Sequence, residues 1–288
     1  MTLPAVDVHQ HLWPEALISG LSRRREPPCL RGNLLRLPGM PDSPVDFDEH
    51  RPEQRLRRLD RDGTDVAVIS LQPTLGLVDG DPLVAAYHEG VAEIVRAADG
   101  RLAALAHAEA RDGFAGATLA AGALAQGLVA GSPPDLLSEL EARGGFLFVH
   151  PGPARQPASA PRWWSEVASY TAEMQAAYLA WVLRGADAFP ALRVVFAVLA
   201  GGAPVQLERL ASRGVDARAA RRETVFLDTA SYGRRALELA LATFGVGQLV
   251  FGSDVPVLDA APGLRAVGEF GNAVTDAVRR ENPSQLLG

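Results

Sequence analysis

Two histidines one residue apart stand almost at the start of the chain, in Val6-Asp7-Val8-His9-Gln10-His11. The stretch alternates apolar and polar residues and runs into Leu12-Trp13-Pro14, the pattern of a short strand stopped by a proline. On a strand, side chains at i and i+2 point to the same face. His9 and His11 are therefore expected side by side, and two neutral imidazoles on a rigid element can begin a zinc-like site. A bare H-x-H also describes two half-buried histidines with no ion between them. What decides the matter is whether the rest of the chain brings further ligands.

Stepping along the sequence, short apolar runs alternate with helical patterns. Strands are expected at 65–71, 101–108, 127–131, 146–150, 192–199, 224–228 and 248–252, after the first at 6–11. Between them, helical spacing is expected over 53–62, 83–95, 114–126, 135–143, 164–183, 204–213 and 234–244. Asp81 is placed to cap the second of these. Eight apolar strands with crossover helices imply a parallel sheet, and in this length they match a (β/α)8 TIM barrel. An open doubly wound sheet would carry a glycine-rich turn after the first strand, where this chain has two histidines, a tryptophan and a proline. The expectation is one domain over 1–288, with long loops at about 14–48 and 151–163 that could act as lids.

Barrel chemistry gathers at the C-terminal ends of the strands. The first strand ends in His9 and His11, the fifth in His150 and the eighth in Asp254. Three imidazoles and a carboxylate from three strands can surround one divalent ion and leave room for water or substrate.

Composition limits the alternatives. A formal charge of −6 argues against a nucleic-acid partner. No apolar run reaches the roughly 18 residues a membrane helix needs, and no secretory leader is visible. The single cysteine, Cys29, excludes an intrachain disulfide and fits a cytoplasmic protein. The chain contains no lysine, which removes Schiff-base chemistry, a P-loop lysine and a carbamylated-lysine bridge between two ions. A single ion is expected. No G-x-S-x-G elbow or dinucleotide glycine pattern is present.

The pieces Val6-Asp7-Val8-His9-Gln10-His11, Phe148-Val149-His150-Pro151, Gly201-Gly202-Ala203-Pro204 and Phe251-Gly252-Ser253-Asp254, with the closing Asn282 to Leu287 segment, together resemble the amidohydrolase superfamily. Within it they are similar to the amidohydrolase-2 group that includes aminocarboxymuconate semialdehyde decarboxylase. The resemblance spans nearly the whole chain. It implies His9, His11, His150 and Asp254 as ligands of one divalent ion, zinc first and manganese as the alternative. It also implies Asp254 as the catalytic proton acceptor, and Asp228, in Asp228-Thr229-Ala230-Ser231, as support for the pocket.

One departure matters. The family usually carries a histidine at the end of strand six; here the phrase is Phe196-Ala197-Val198-Leu199-Ala200-Gly201-Gly202, with Val198 in its place. Valine cannot move a proton. Asp254 is the first candidate for that role and His107, near the end of the third strand, the second. His50 and His88 are given surface roles. The leading expectation is a metal-dependent hydrolase of a small amide, lactone or related bond. A non-oxidative decarboxylase of a small unsaturated or aromatic acid is the alternative, and a catalytically altered barrel with a binding role is the third reading. Trp13, Trp163, Trp164 and Tyr232 suggest a small aromatic substrate, and Arg155 could hold a carboxylate. The helix from Trp164 and the apolar C-terminal segment are faces that a homodimer could cover.

Overall fold

Buried on both faces, the apolar runs pair in chain order. The computed structural model describes residues 2–216 and 218–287. Its eight parallel strands are β1 Val6–His11, β2 Val66–Ser70, β3 Leu102–His107, β4 Gly116–Ala120, β5 Phe146–His150, β6 Arg193–Phe196, β7 Val225–Asp228 and β8 Leu249–Val250. The ring closes through Val8 N–H to Phe251 O (2.9 Å), His11 N–H to Val255 O (2.7 Å) and Asp254 N–H to His9 O (2.8 Å). This is the expected (β/α)8 barrel, with helices on every crossover except β3 to β4, which residues 108–115 span without one.

The period of each element explains its packing. In β5, Phe146 and Phe148 alternate with Leu147 and Val149, and all four are fully buried. Burying each phenylalanine contributes roughly 2 kcal/mol. Outside the barrel, Tyr87 and Val91 of the helix Pro82–Ala97 pack with Ile69 and Ala104 of the strands beneath. Asp81 caps that helix as expected, its carboxylate accepting from Leu83 N–H at 2.9 Å.

Two elements differ from expectation. The fourth strand is Gly116–Ala120, inside the stretch 114–126 expected as a helix, and the helix Ala121–Ala130 follows it and takes in most of the strand expected at 127–131. Alanine and glycine dominate both stretches, so neither β-branched enrichment nor clean periodicity separates them. The region 14–48 is more ordered than a loop. It holds the helix Glu15–Arg23 and three short antiparallel strands, Cys29–Arg31, Leu34–Arg36 and Ser43–Pro44.

This small sheet follows β1 and meets the segment that follows β5. Gln156 N–H donates to Gly39 O (3.2 Å) and Arg162 Nη2 to Asp42 O (2.9 Å). The two insertions thus join over the C-terminal end of the barrel. Strand ends at that mouth carry left-handed backbone in residues that disfavour it. Among the described residues, the non-glycine residues with positive φ other than Asp99 stand just past β3, β6, β7 or β8: Ala108, Val198, Leu199, Ala200, Ser231 and Asp254. Such strain is held only where surrounding structure enforces it, and it clusters at functional sites.

Candidate functional site

β1 and β5 bring three imidazoles into one cluster. Ring centroids lie 5.0 Å apart for His9 and His11, 5.1 Å for His9 and His150, and 5.2 Å for His11 and His150. The turn after β8 adds Asp254, whose Oδ1 lies 3.2 Å from His11 Nε2 and 3.5 Å from His9 Nε2. One donor atom from each of the four residues lies within 4.8 Å of the other three. The alternation of β1 therefore does what its spacing implies.

Each imidazole is anchored through its other nitrogen. His9 Nδ1–H donates to Asp228 Oδ2 (2.7 Å), His11 Nδ1–H to Ser70 O (3.0 Å) and His150 Nδ1–H to Pro151 O (2.9 Å). These bonds occupy each Nδ1 and leave Nε2 as the ring nitrogen that can face an ion. Partners of this kind orient metal-binding histidines and raise their basicity. Asp7 braces the strand from beneath: its buried carboxylate accepts from His9 N–H (3.1 Å), Gln10 Nε2 (2.8 Å) and Ser253 N–H (3.1 Å).

The electrostatics follow the same geometry. Burial holds His11 below the ordinary imidazole range, and burial with the neighbouring His9 and His11 rings holds His150 well below it. His9 is different. Burial opposes its charge, but Asp228 and Asp254 together push it up to about 9. Burial would raise Asp254, yet the three histidines keep its carboxyl below the usual range, so it is anionic. Three imidazole nitrogens and one carboxylate oxygen suit a divalent ion such as zinc or manganese. The Asp254 side chain is 17% exposed while His9 and His11 are fully covered, so the cluster opens toward solvent through Asp254.

Asp228 does more than support the pocket. While Oδ2 holds His9, Oδ1 accepts from Val198 N–H (2.8 Å) and Ala230 N–H (3.0 Å). Val198 begins a left-handed run, with φ of 48°, 49°, 50° and 65° from Val198 to Gly201. Gly201 is required there, since a Cβ would stand 2.4 Å from Thr171 O.

The other expected residues divide into wall and roof. Trp13 is buried, its Nε1–H donating to Gln72 Oε1 (2.7 Å) and its ring stacked on His50 at 4.7 Å. Tyr232 is half-buried. Arg155, Trp163 and Trp164 are exposed on the insertion after β5 and are not gathered with the four donors. Trp163 instead lines a groove of about 380 Å³ with Arg162, Tyr170 and Met40, between the two insertions. His50 and His88 are not surface residues. His50 accepts from Trp13 N–H (3.0 Å), and His88 Nε2 accepts from His107 N–H (2.8 Å). Ser70 and Asp7 carry no signal of these roles in the sequence, beyond the place of Ser70 at a strand end.

Comparison with known proteins identifies the family. Its sequence model, described as amidohydrolase, matches residues 6–288. No curated protein matches the chain. Among solved structures, IDCase from Metarhizium anisopliae in apo form is similar at 20% identity and a TM-score of 0.78, covering 99% of this chain and 97% of that one. 5-Carboxyvanillate decarboxylase from Sphingomonas paucimobilis is similar at 18% identity and 0.71, covering 99% of each chain. Dihydroxybenzoic acid decarboxylase from Polaromonas sp. JS666, with bound manganese and the inhibitor 2-nitroresorcinol, is similar at 18% identity and 0.68, covering 100% and 97%. Among the described residues, no helix is long and apolar enough to cross a membrane.

Proposed function

The chain belongs to the amidohydrolase family, and from that premise we propose that it is a mononuclear, divalent-metal-dependent hydrolase of a small amide, lactone or related bond. The observation that carries this reading is the convergence of three anchored imidazoles on the Asp254 carboxylate at the mouth of the barrel. His9, His11, His150 and Asp254 are its metal ligands, zinc being the first choice and manganese the second. A divalent ion in such a site polarises a carbonyl oxygen and lowers the pKa of water toward ~7.

The chain's own residues supply the rest. Asp254 is anionic beside the imidazoles, accepts the proton of the attacking water and returns it to the leaving group. Asp228 keeps His9 in the tautomer that presents Nε2. Val198 has no group to take or give a proton, which leaves Asp254 as the carrier and favours hydrolysis. The substrate is a small molecule admitted past the roof; Trp13, Trp163, Trp164 and Tyr232 are the candidates to favour an aromatic body and Arg155 a carboxylate. Buried Cys29 suits a cytoplasmic protein.

A second reading, non-oxidative decarboxylation of a small aromatic or unsaturated acid, is supported by the decarboxylases among the similar structures. One experiment separates the two. The manganese- or zinc-loaded protein is screened against lactones, amides and aromatic acids in ¹⁸O-labelled water. Hydrolysis places label in the product carboxyl, whereas decarboxylation releases carbon dioxide and leaves the product unlabelled. Metal analysis beside a His9→Ala/His11→Ala variant tests the centre itself. About one ion per chain, lost in the variant, is expected; no uptake by either protein overturns the mononuclear reading.

A further inference from the structure

Two buried polar atoms, His107 Nδ1 on β3 and Thr118 Oγ1 on β4, have no hydrogen-bond partner among the described residues. His107 ends β3, and Thr118 is its register partner on β4. Thr118 in turn pairs with Phe148 on β5. Register partners in a parallel sheet lie on the same face. Phe148 faces the centre of the barrel, its ring 4.9 Å from that of His9 and 6.1 Å from that of His150. His107 and Thr118 therefore face the same interior. The other direction agrees. Ser70 faces inward, with its hydroxyl 3.1 Å from His11 Nδ1, and the β2–β3 register carries that face through Leu105 to His107.

Thr118 is fully buried and His107 is 6% exposed. Thr118 Oγ1 and His107 Nδ1 make no hydrogen bond. Unsatisfied polar atoms at such burial are uncommon and destabilising, and a bound group is one of the things that completes them; here two of them face one interior from neighbouring strands. The direction of the missing bonds is defined. His107 Nε2–H donates to Leu77 O at 3.4 Å, so Nδ1 carries the lone pair. Burial lowers the affinity of this ring for a proton, which keeps it neutral. Thr118 can donate its hydroxyl proton.

We propose that His107 and Thr118 form a subsite for a hydroxyl group of the substrate, the hydroxyl donating to His107 Nδ1 and accepting from Thr118 Oγ1. A carboxylate could not donate to Nδ1. An ammonium would bring a full charge against Leu105 and Phe148. The proposal rests on the reading of the imidazole cluster as the active centre. It makes this wall of the barrel, at the feet of the proposed metal ligands, the part that selects hydroxylated molecules.

The test is a calorimetric titration of benzoate and its three monohydroxy derivatives into the wild type, Thr118→Val and His107→Phe, each with and without manganese. At least one hydroxybenzoate is expected to bind the wild type about tenfold more tightly than benzoate, with the preference falling below about twofold in both variants. A wild type without preference, including one that binds none of the four probes, overturns the subsite. So does a preference that survives in both variants. Thr118→Val, which keeps the side-chain shape, also tests the orphaned hydroxyl without any ligand. It is expected to melt at or above the wild-type temperature, and a fall of more than about 5 °C would reveal a structural partner and refute the idea. Manganese uptake is read separately: its absence removes the metal-centre reading, while the hydroxyl preference of the metal-free protein still decides the subsite.

Discussion

His9 and Val198 are held by one carboxylate: Asp228 accepts from the His9 ring through Oδ2 at 2.7 Å and from the Val198 N–H through Oδ1 at 2.8 Å. The histidine that begins the imidazole cluster and the strained turn after β6 are thus set by the same fully buried side chain.

Asp228→Asn tests that coupling. The amide cannot accept through both groups, and its NH₂ turned toward His9 would select the tautomer with Nε2–H, which cannot bind an ion. Metal affinity should fall roughly 10- to 100-fold while the fold is retained. Titration with zinc or manganese against a competing chelator measures it. Unchanged affinity would mean that Asp228 serves only the backbone of the turn.

Asp254→Asn separates ligation from proton transfer. Activity should fall by roughly 10²- to 10⁴-fold, and more than metal occupancy falls. Chelation should abolish wild-type activity, with recovery on adding back zinc or manganese. If activity and occupancy decline in parallel, the carboxylate acts as a ligand and the proton goes elsewhere.

Val198→His restores the residue type usual in the family. With hydrolysis carried by Asp254, the hydrolytic rate should change by less than about threefold. A gain of about tenfold or more in carbon dioxide release from an aromatic acid would instead identify a decarboxylase that lost its proton donor. Both rates are read in the same preparations.

Acid stability should depend on His88. Burial pushes its pKa down from 6.5 to about 4, against an opposing pull from Glu109. In the unfolded chain it takes up a proton near pH 6.5, while the folded protein resists until about pH 4. The stability is complete above pH 6.5 and is lost as pH falls through this interval, by up to roughly 3 kcal/mol. Urea midpoints between those limits should fall less steeply in His88→Gln. Identical slopes would show that burial does not hold this ring neutral.

Arg55 lies behind β1, 1% exposed, donating to Gln10 Oε1 (3.0 Å), His11 O (2.9 Å) and Glu49 O (3.0 Å). Arg55→Met strands three acceptors and should cost roughly 3 kcal/mol. Arg55→Lys should recover less than half of that, because an ammonium lacks the planar fork. Chemical denaturation checks both, and full rescue by lysine would contradict the argument.

The barrel and the four donors were legible because they rest on local chemistry. Strand alternation puts His9 and His11 on one face, and strand ends place His150 and Asp254. What escaped depends on distant chain. His50 and His88 look like solvated histidines until tertiary folding brings Trp13 N–H and His107 N–H to their rings. Ser70 anchors His11 mainly through its carbonyl, a group every residue has. The fourth strand, Gly-Ala-Thr-Leu-Ala, has little β propensity of its own and is held by its neighbours β3 and β5. The left-handed run from Val198 to Gly201 defies local preference, and only Gly201 and Gly202 hint at it.

The roof over the barrel is made from two insertions that meet through a few hydrogen bonds: Arg162 with Asp42, Gln156 with Gly39, and Ser165 with Met40. The imidazole cluster beneath is fixed by buried strands and shares none of those bonds. Roof and floor are therefore structurally separable. Substitutions, or changes of length, in 29–44 and 153–165 can alter which molecules are admitted while the histidines keep their geometry. Admission and reaction are thus tuned by different parts of the chain.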